Sequence, residues 1–474
     1  MEKKATNNHQ IYYQPKNVWV GDIMPYANDG KFYIYHQRDQ RVHGPITDPF
    51  GWALATTKDF VNYQDYGESL KRGSDQDWDQ FVYAGSVFEA NGTIHAFYTG
   101  YNKEFLQAGK TSQILLHATS NDFIHWKKSI NALKLTPQPG YDIRNWRDPS
   151  VIWDERKQEY LLILGARKGK DKHKLTGRLV KYTSKDLENW QFEGDFWAPN
   201  LYTMFEMPQL FQMGDWWYLV YSEYSVKNKV FYRMSKSLDG PWLKPKDEAF
   251  DGRAYYAART AFDGKRRVLF GWVPTKLNED DMSNYEWGGT FVPQEVYQRR
   301  DKTLGVRPIA EICEAFTSKQ KIPAQKIGAV DTLQEKTLVE NTGYHFYFHT
   351  TISFSESTTD FSIRLYKNNA TDESYEFRFN LDENQLTLDK NPCYRWYQMM
   401  DKGLNRPINL EANQDYDLKV IVDDNILSLY LDGVALNTRV YHKFGTSLAL
   451  TATNGNLSLS NIEFSNKYQN AKKG

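Results

Sequence analysis

Residues 55–63 read ATTKDFVNY, residues 118–126 read ATSNDFIHW and residues 182–190 read YTSKDLENW, with a looser copy, MSKSLDGPW, at 234–242. Asp59, Asp122 and Asp186 are thereby separated by 63 and 64 residues. A phrase returning at so regular an interval marks a repeat architecture, in which each unit needs its neighbours to bury its faces. A second element recurs beside it: KFYIYHQ at 31–37, TIHAFYTG at 93–100, EYLLILGA at 159–166, WWYLVYSE at 216–223 and RRVLFGWV at 266–273. These short runs, rich in aromatic and β-branched residues, read as strands. Each follows a turn signal, and a further short strand precedes that turn, in MPYANDG, VYAGSVFEANG, WRDPSVIWDERKQ, FEMPQLFQMGDW and YAARTAFDGKRR. Units of several short strands, repeated five times, predict a five-bladed β-propeller over residues 12–316.

Beyond it the pattern changes. Residues 317–335 are polar with few large apolar side chains, which predicts a linker. Phrases such as YEFRFNLDENQLTLD at 375–389 and YDLKVIVDDNILSLYLDG at 416–433 alternate around Asp/Asn turns, so residues 336–470 read as a C-terminal antiparallel β-sandwich. The fold class is all-β, and the last residues, NKYQNAKKG, read as a frayed tail.

Composition narrows the function classes. The 474 residues carry 59 Lys+Arg and 59 Asp+Glu, so the basic excess of a non-specific nucleic-acid or anionic-membrane binder is missing. No run approaches the roughly 18 apolar residues of a spanning helix, and Met1–Gln10 has no apolar signal core, so a cytoplasmic location is the expectation. Two cysteines, Cys313 and Cys393, are too few for a disulfide framework and read as buried thiols. The ten histidines form neither HxH nor HExxH, so no metal and no cofactor are expected. The sandwich is a candidate surface for homo-oligomer formation.

In a propeller the first strand of each blade lines the central channel, so polar residues on equivalent strands converge. Three of these strands offer an acid: Asp29 in ANDG, Asp148 in WRDP and Glu206 in FEMP. Massed carboxylates repel one another, so their retention in one cavity points to metal binding or catalysis. Asn-Asp-Gly is also a common turn, which is the competing reading of Asp29. Without a Ser, Cys or His nucleophile arrangement, the acids suggest glycoside hydrolysis, and the partner is then a small carbohydrate. Tyr26, Trp52, Tyr83, Trp146 and Phe205 lie in or near the inner strands and suit the flat apolar faces of sugars. For any one of them, structural packing is the competing role.

The order Asn28-Asp29-Gly30, then Arg147-Asp148-Pro149, then Glu206-Met207-Pro208, resembles glycoside hydrolase family 32, the invertases, levanases and inulinases, with motifs NDPNG, RDP and EC(P). YAGSV at 83–87 resembles the family's FSGSA, YYAARTAF at 255–262 its YAAQTF, and GW at 271–272 with VPQEV at 292–296 its GW and LPREL. The resemblance covers essentially the whole chain. It implies a retaining β-fructofuranosidase with Asp29 as nucleophile, Glu206 as general acid and base, and Asp148 as the carboxylate that holds the fructose hydroxyls, with Arg147 beside it. Asn28, Gln37 and Ser86 would contact the fructosyl unit, with Trp52 and Tyr83 nearby. A retaining geometry would place the two reacting carboxyls about 5–5.5 Å apart. The sequence departs from the motifs where NDPNG shortens to Asn28-Asp29-Gly30, Met207 replaces a cysteine and Ala84 a serine. The alternatives are an inverting arabinosidase or xylosidase of the related five-bladed families, a transfructosylase, and a non-catalytic sugar-binding propeller. The basic stretch RKGKDKHKLTGR at 167–178 reads as a solvated loop before a phosphate site.

Overall fold

The computed structural model describes residues 8–41, 48–129, 135–171, 173–393, 400 and 402–469. Regular structure among them is almost entirely strand, the α-helical pieces being the short segments Lys103–Gln107 and Ala310–Glu314. Five antiparallel meanders follow one another. Blade 1 runs Trp19–Asn28, Lys31–Asp39, Trp52–Thr57 and Gln64–Leu70; blade 2 runs Phe81–Ala90, Thr93–Tyr101, Gln113–Ser120 and Lys127–Lys128. Blade 3 comprises Tyr141–Asp154, Glu159–Lys168, Gly177–Ser184 and Gln191–Trp197, and blade 4 comprises Glu206–Met213, Trp216–Glu223 and Lys229–Ser235. Blade 5 comprises Tyr256–Phe262, Arg267–Lys276, Tyr285–Gln298 and Leu304–Pro308. The first strand of each blade packs against the first strand of the next, and that of blade 5 returns to blade 1. The ring is closed by strand pairing as well, with Val20 opposite Gly289.

The repeated phrase is a corner device. Asp59 Oδ1 accepts the backbone N–H groups of Val61 at 2.9 Å and Asn62 at 2.7 Å, while its Oδ2 accepts the Asn62 side-chain amide at 2.7 Å. Asp122 and Asp186 make the same pattern with Ile124 and His125, and with Glu188 and Asn189. The residue after each aspartate is left-handed, with φ of 59° at Phe60, 66° at Phe123 and 67° at Leu187. The aspartate thus satisfies the backbone of a turn that drops an apolar side chain under the blade; Phe60 and Leu187 are buried. Replacing Asp59 by Ala is expected to destabilise the fold by about 1–3 kcal/mol, from three hydrogen bonds of about 0.5–1.5 kcal/mol net each, part of it recovered by water. Burial alone would raise the Asp59 carboxyl, but the Asn62 and Val61 donors outweigh it and hold it below the ordinary value. A depressed carboxyl stabilises above its unfolded pKa, so the difference in Tm between wild type and variant should shrink as pH falls below about 4.

Each inner strand breaks register at the same place. On the partner strand one residue is passed where the inner strand passes two: 21–22 in blade 1, 83–84 in blade 2, 148–149 in blade 3, 207–208 in blade 4 and 257–258 in blade 5. Two residues opposite one is a β-bulge, which bends the strand and re-aims the side chains at and beside it. Asp148, Met207 and Ala257 have φ of 62°, 51° and 52° there.

The C-terminal domain stacks two antiparallel sheets. One runs from Gln320–Ile322 and Gln325–Ile327 through Leu457–Ser465, His345–Phe354, Tyr416–Asp423 and Ile426–Leu431 to Val434–Arg439; the other runs from Leu333–Val339 through Ser447–Thr453, Asp360–Lys367, Ser374–Asn380 and Gln385–Asn391 to Asn405–Pro407. Phe346, Phe348, Phe361, Phe377, Leu418 and Leu450 fill the space between them. The segment expected as a linker, 317–335, is therefore part of the sandwich. Its short edge strands leave Gln320, Lys321 and Lys326 exposed, which is why the sequence reads as polar. Of the expected tail, Lys467–Tyr468 pairs with Phe316–Thr317, and residues 470–474 lie outside the described residues.

The junction between the domains is polar and heavily bonded. Arg406 donates to the Phe250, Ala249 and Ala435 carbonyls and to Asp247, and Arg439 donates to the Val273 and Pro274 carbonyls. The buried Asp423 carboxylate accepts the backbone N–H groups of Gln10, Ile11 and Tyr12, tying the chain's start to the sandwich.

Candidate active site

A cavity of about 530 Å³ forms where the inner-strand bulges meet. Three carboxylates line it: Asp22 from the blade 1 bulge, Asp148 from the blade 3 bulge and Glu206 immediately before the blade 4 bulge. Glu206 is clamped from both sides. Its Oε1 accepts from Arg147 Nε at 3.1 Å and Nη2 at 2.8 Å, and its Oε2 accepts from the Tyr256 hydroxyl at 2.6 Å. Tyr256 immediately precedes the blade 5 bulge and Tyr83 opens that of blade 2, so all five inner strands supply a group at or directly beside the bulge.

Asp148 is fully enclosed. Its carboxylate accepts the Met207 N–H at 3.0 Å, its own N–H donates to Thr99 Oγ1 at 2.9 Å, and its carbonyl accepts from Arg259 at 2.8 Å. Burial, and then Glu206, push its carboxyl up to about 6, although Arg147, Arg259 and the Met207 N–H oppose the rise. Asp22 is pushed well above the ordinary range by burial, then by Asp148 and Glu206; indole N–H groups of Trp272 and Trp287 counter this. The Trp272 Nε1 lies 3.3 Å from Asp22 Oδ1. With its amide nitrogen facing Asp22 Oδ2 at 3.2 Å, Gln37 also accepts the Ala84 N–H at 2.8 Å. Gly21 is required beside the acid: a Cβ there would come within 2.4 Å of the Trp287 indole.

Residues 12–308 match the model of the glycosyl hydrolases family 32 N-terminal domain, and residues 311–466 match that of the family 32 C-terminal domain. The chain belongs to glycosyl hydrolase family 32. It is 26% identical to the raffinose invertase of Escherichia coli over 96% of this chain and 95% of that enzyme. It is also 26% identical to a sucrose-6-phosphate hydrolase of Zymomonas mobilis, over 62% of this chain and 60% of that enzyme. Among solved folds, sucrose-6-phosphate hydrolase from Lactobacillus gasseri superposes with a TM-score of 0.78 at 19% identity, covering 98% of this chain and 94% of that one. Fructan 1-exohydrolase IIa from Cichorium intybus superposes with a TM-score of 0.79 at 15% identity, covering 100% and 99%. Family 32 membership sets aside the arabinosidase and xylosidase families weighed from the acids alone.

Within this family 32 site the sequence-based expectations divide. Asp148, Glu206, Arg147, Gln37 and Tyr83 all line the cavity. Asp29 does not. Asn28 pairs with Lys31, so Asp29 and Gly30 are a two-residue hairpin loop, with φ of 50° and 67°, and both are exposed along with Asn28. Seven residues of extended chain separate Asp29 from Asp22, a span of roughly 20 Å. Ser86 lies by a separate small cavity with Ser150, Gln209 and Arg259. Trp52 is fully buried and donates its indole N–H to the Tyr83 carbonyl at 3.1 Å; Trp146 and Phe205 are buried in blade cores, and Tyr26 stacks on Phe123. Sequence reasoning missed Asp22, and with it Trp287, Tyr256 and Arg144. The signal for Asp22 was register: Asp148 and Glu206 precede the first loop residue of their hairpins by seven and eight residues, and Asp22 precedes Asp29 by seven. The basic stretch at 167–178 contributes no described residue to the cavity.

Proposed function

We propose that this family 32 hydrolase releases a terminal β-linked fructosyl unit from sucrose or short fructo-oligosaccharides with retention of configuration, through a covalent intermediate on Asp22. The observation that carries the reading is the convergence of Asp22, Asp148 and Glu206 on one cavity, with Glu206 held between Arg147 and Tyr256. The Asp22 carboxylate attacks the anomeric carbon as Glu206 gives its proton to the departing glycosidic oxygen; Glu206 then takes a proton from the water that cleaves the fructosyl ester. With Oε1 occupied by two Arg147 N–H groups, the transferable proton of Glu206 belongs on Oε2, where the Tyr256 hydroxyl orients it. Asp148, anchored by the Met207 N–H, accepts hydrogen bonds from the fructosyl hydroxyls and favours the positive charge that develops on the ring. The first three residues of the family's NDPNG motif then fall on Gly21-Asp22-Ile23, with Gly21 in the place of its asparagine because the Trp287 ring fills that space. The activities for which the invertase and sucrose-6-phosphate hydrolase relatives are named support this substrate class.

The test is fructose release from sucrose, sucrose 6-phosphate, 1-kestose, inulin and levan by wild type and by Glu206→Gln. Release by wild type that falls at least about a hundredfold in the variant supports Glu206 as acid and base. In the presence of methanol the trapped product should be methyl β-fructofuranoside; the α-anomer would contradict retention. Arg144 lines the cavity with its side chain half-exposed, 3.6 Å from Asp142, and is the cation placed to meet a phosphorylated leaving group.

A further inference from the structure

A second cavity, of about 600 Å³, lies away from the carboxylates, between blade 4 and the sandwich. Its walls come from the start of the strand Lys229–Ser235, the segment 244–249, Arg253, the hairpin around Asn384 and the segment 402–407. Seven cationic side chains face it, Lys227, Lys229, Lys244, Lys246, Arg253, Lys402 and Arg406, against three acids, Asp247, Glu248 and Glu383. Two of those acids are already used: Asp247 accepts from Arg406 at 2.6 Å, and Glu248 pairs with Lys244 at 3.1 Å and with Arg233.

Among the described residues, no carboxylate stands within ion-pair distance of the ammonium groups of Lys227, Lys246 or Lys402. Lys229 is largely enclosed and meets only the neutral carbonyl and amide oxygens of Asn405, at 2.9 and 3.2 Å. Burial, and then the Arg406 charge, bring its ammonium down to about 8, against the attraction of Asp247 and Asp251. Arg406 itself is buried and its Nε has no partner. Positive charge in excess of its carboxylates, collected in a concave site with part of it enclosed, is a poor arrangement for a junction whose only task is adhesion. It is the arrangement that binds an anion, because lysines and arginines around a partly dry cleft form charge-assisted hydrogen bonds with phosphate oxygens. The volume lies within the range of small-molecule sites.

We propose that this cleft is a binding site for a small polyanion carrying two or more phosphate groups, held by Lys229 and Arg406 at its base and by Lys227, Lys246 and Lys402 at its rim. Such a ligand bridges propeller and sandwich and stabilises their junction by mass action.

The experiment is calorimetric titration of the whole chain with inorganic pyrophosphate and tripolyphosphate at low ionic strength, with thermal unfolding in parallel. The variants are the exposed pair Lys246→Gln/Lys402→Gln and, as a control at the other cavity, Arg144→Gln. Saturable binding is expected, tighter for tripolyphosphate, with a rise in Tm and weakening as salt increases. The double variant should lose at least about tenfold in affinity, a change of about 1.4 kcal/mol, while Arg144→Gln binds as wild type. Absence of saturable binding, binding that the double variant leaves unchanged, or binding removed by Arg144→Gln would each overturn the proposal. Sucrose turnover by the double variant should remain that of wild type, because neither lysine belongs to the carboxylate cavity.

Discussion

Asp22→Asn should abolish fructose release, lowering kcat by about four orders of magnitude or more, as loss of a covalent nucleophile does. Asp29→Asn should leave kcat and KM within about twofold, because Asp29 is an exposed hairpin residue whose left-handed backbone asparagine tolerates well. The pair of variants separates two aspartates that lie on one hairpin of one blade. If Asp29→Asn were the inactive variant and Asp22→Asn the active one, the bulge-based site would be wrong. The measurement is steady-state fructose release from sucrose, with circular dichroism to show that both variants fold.

Asp148→Asn should separate activity from stability. The free protein encloses this carboxylate beside Glu206, and its carboxyl is pushed up to about 6. A carboxyl raised on folding favours the native state only while it is protonated; that contribution is complete below the unfolded value near 4 and is lost as pH rises through about 6. At pH 7.5 wild type therefore carries a charged group in an unfavourable setting, and a neutral amide of the same shape relieves it. The variant should gain on the order of 2–3 kcal/mol at pH 7.5, read as a higher Tm or denaturant midpoint, and the gain should vanish near pH 4. Its fructosidase activity should fall by about a thousandfold, because an amide cannot offset the ring's developing positive charge. A variant that loses stability at pH 7.5 would show that the Met207 N–H and the arginines more than compensate the burial of the charge.

Much of the fold was legible because repetition is read without any knowledge of contacts. The Asp59, Asp122 and Asp186 corners repeat since the same turn must be made at the same point of successive blades, and only a short acceptor side chain satisfies its backbone. The polar segment at 317–335 misled because its strands sit at a sheet edge, where alternation has little apolar surface to report. In the site, Asp148 and Glu206 were found because each stands in a recognisable short phrase on its strand. Asp22 was missed because Asn28-Asp29-Gly30 offered an acid in the expected order and company. The sequence shows the identity of neighbours along the chain, whereas entry to the cavity depends on the distance back from the hairpin turn and on a bulge that no side chain announces. The paired Asn28 and Lys31 would have settled the matter, since residues inside a two-residue loop sit at the strand's far end.

The five matched bulges bear on how such a protein can change its chemistry. Aim is built into the main chain of every blade, while the group delivered is a matter of one or two side chains. Each blade therefore behaves as a tool holder, and the tools now mounted are an aspartate, a tyrosine, an aspartate, a glutamate and a tyrosine. Exchanging the tyrosine at position 83 alters what lines the cavity without disturbing the direction in which the acids point. Innovation in this architecture is accordingly modular, and position 83, whose phenol holds none of the three acids, is where it costs the existing reaction least, whereas Tyr256 is tied to Glu206.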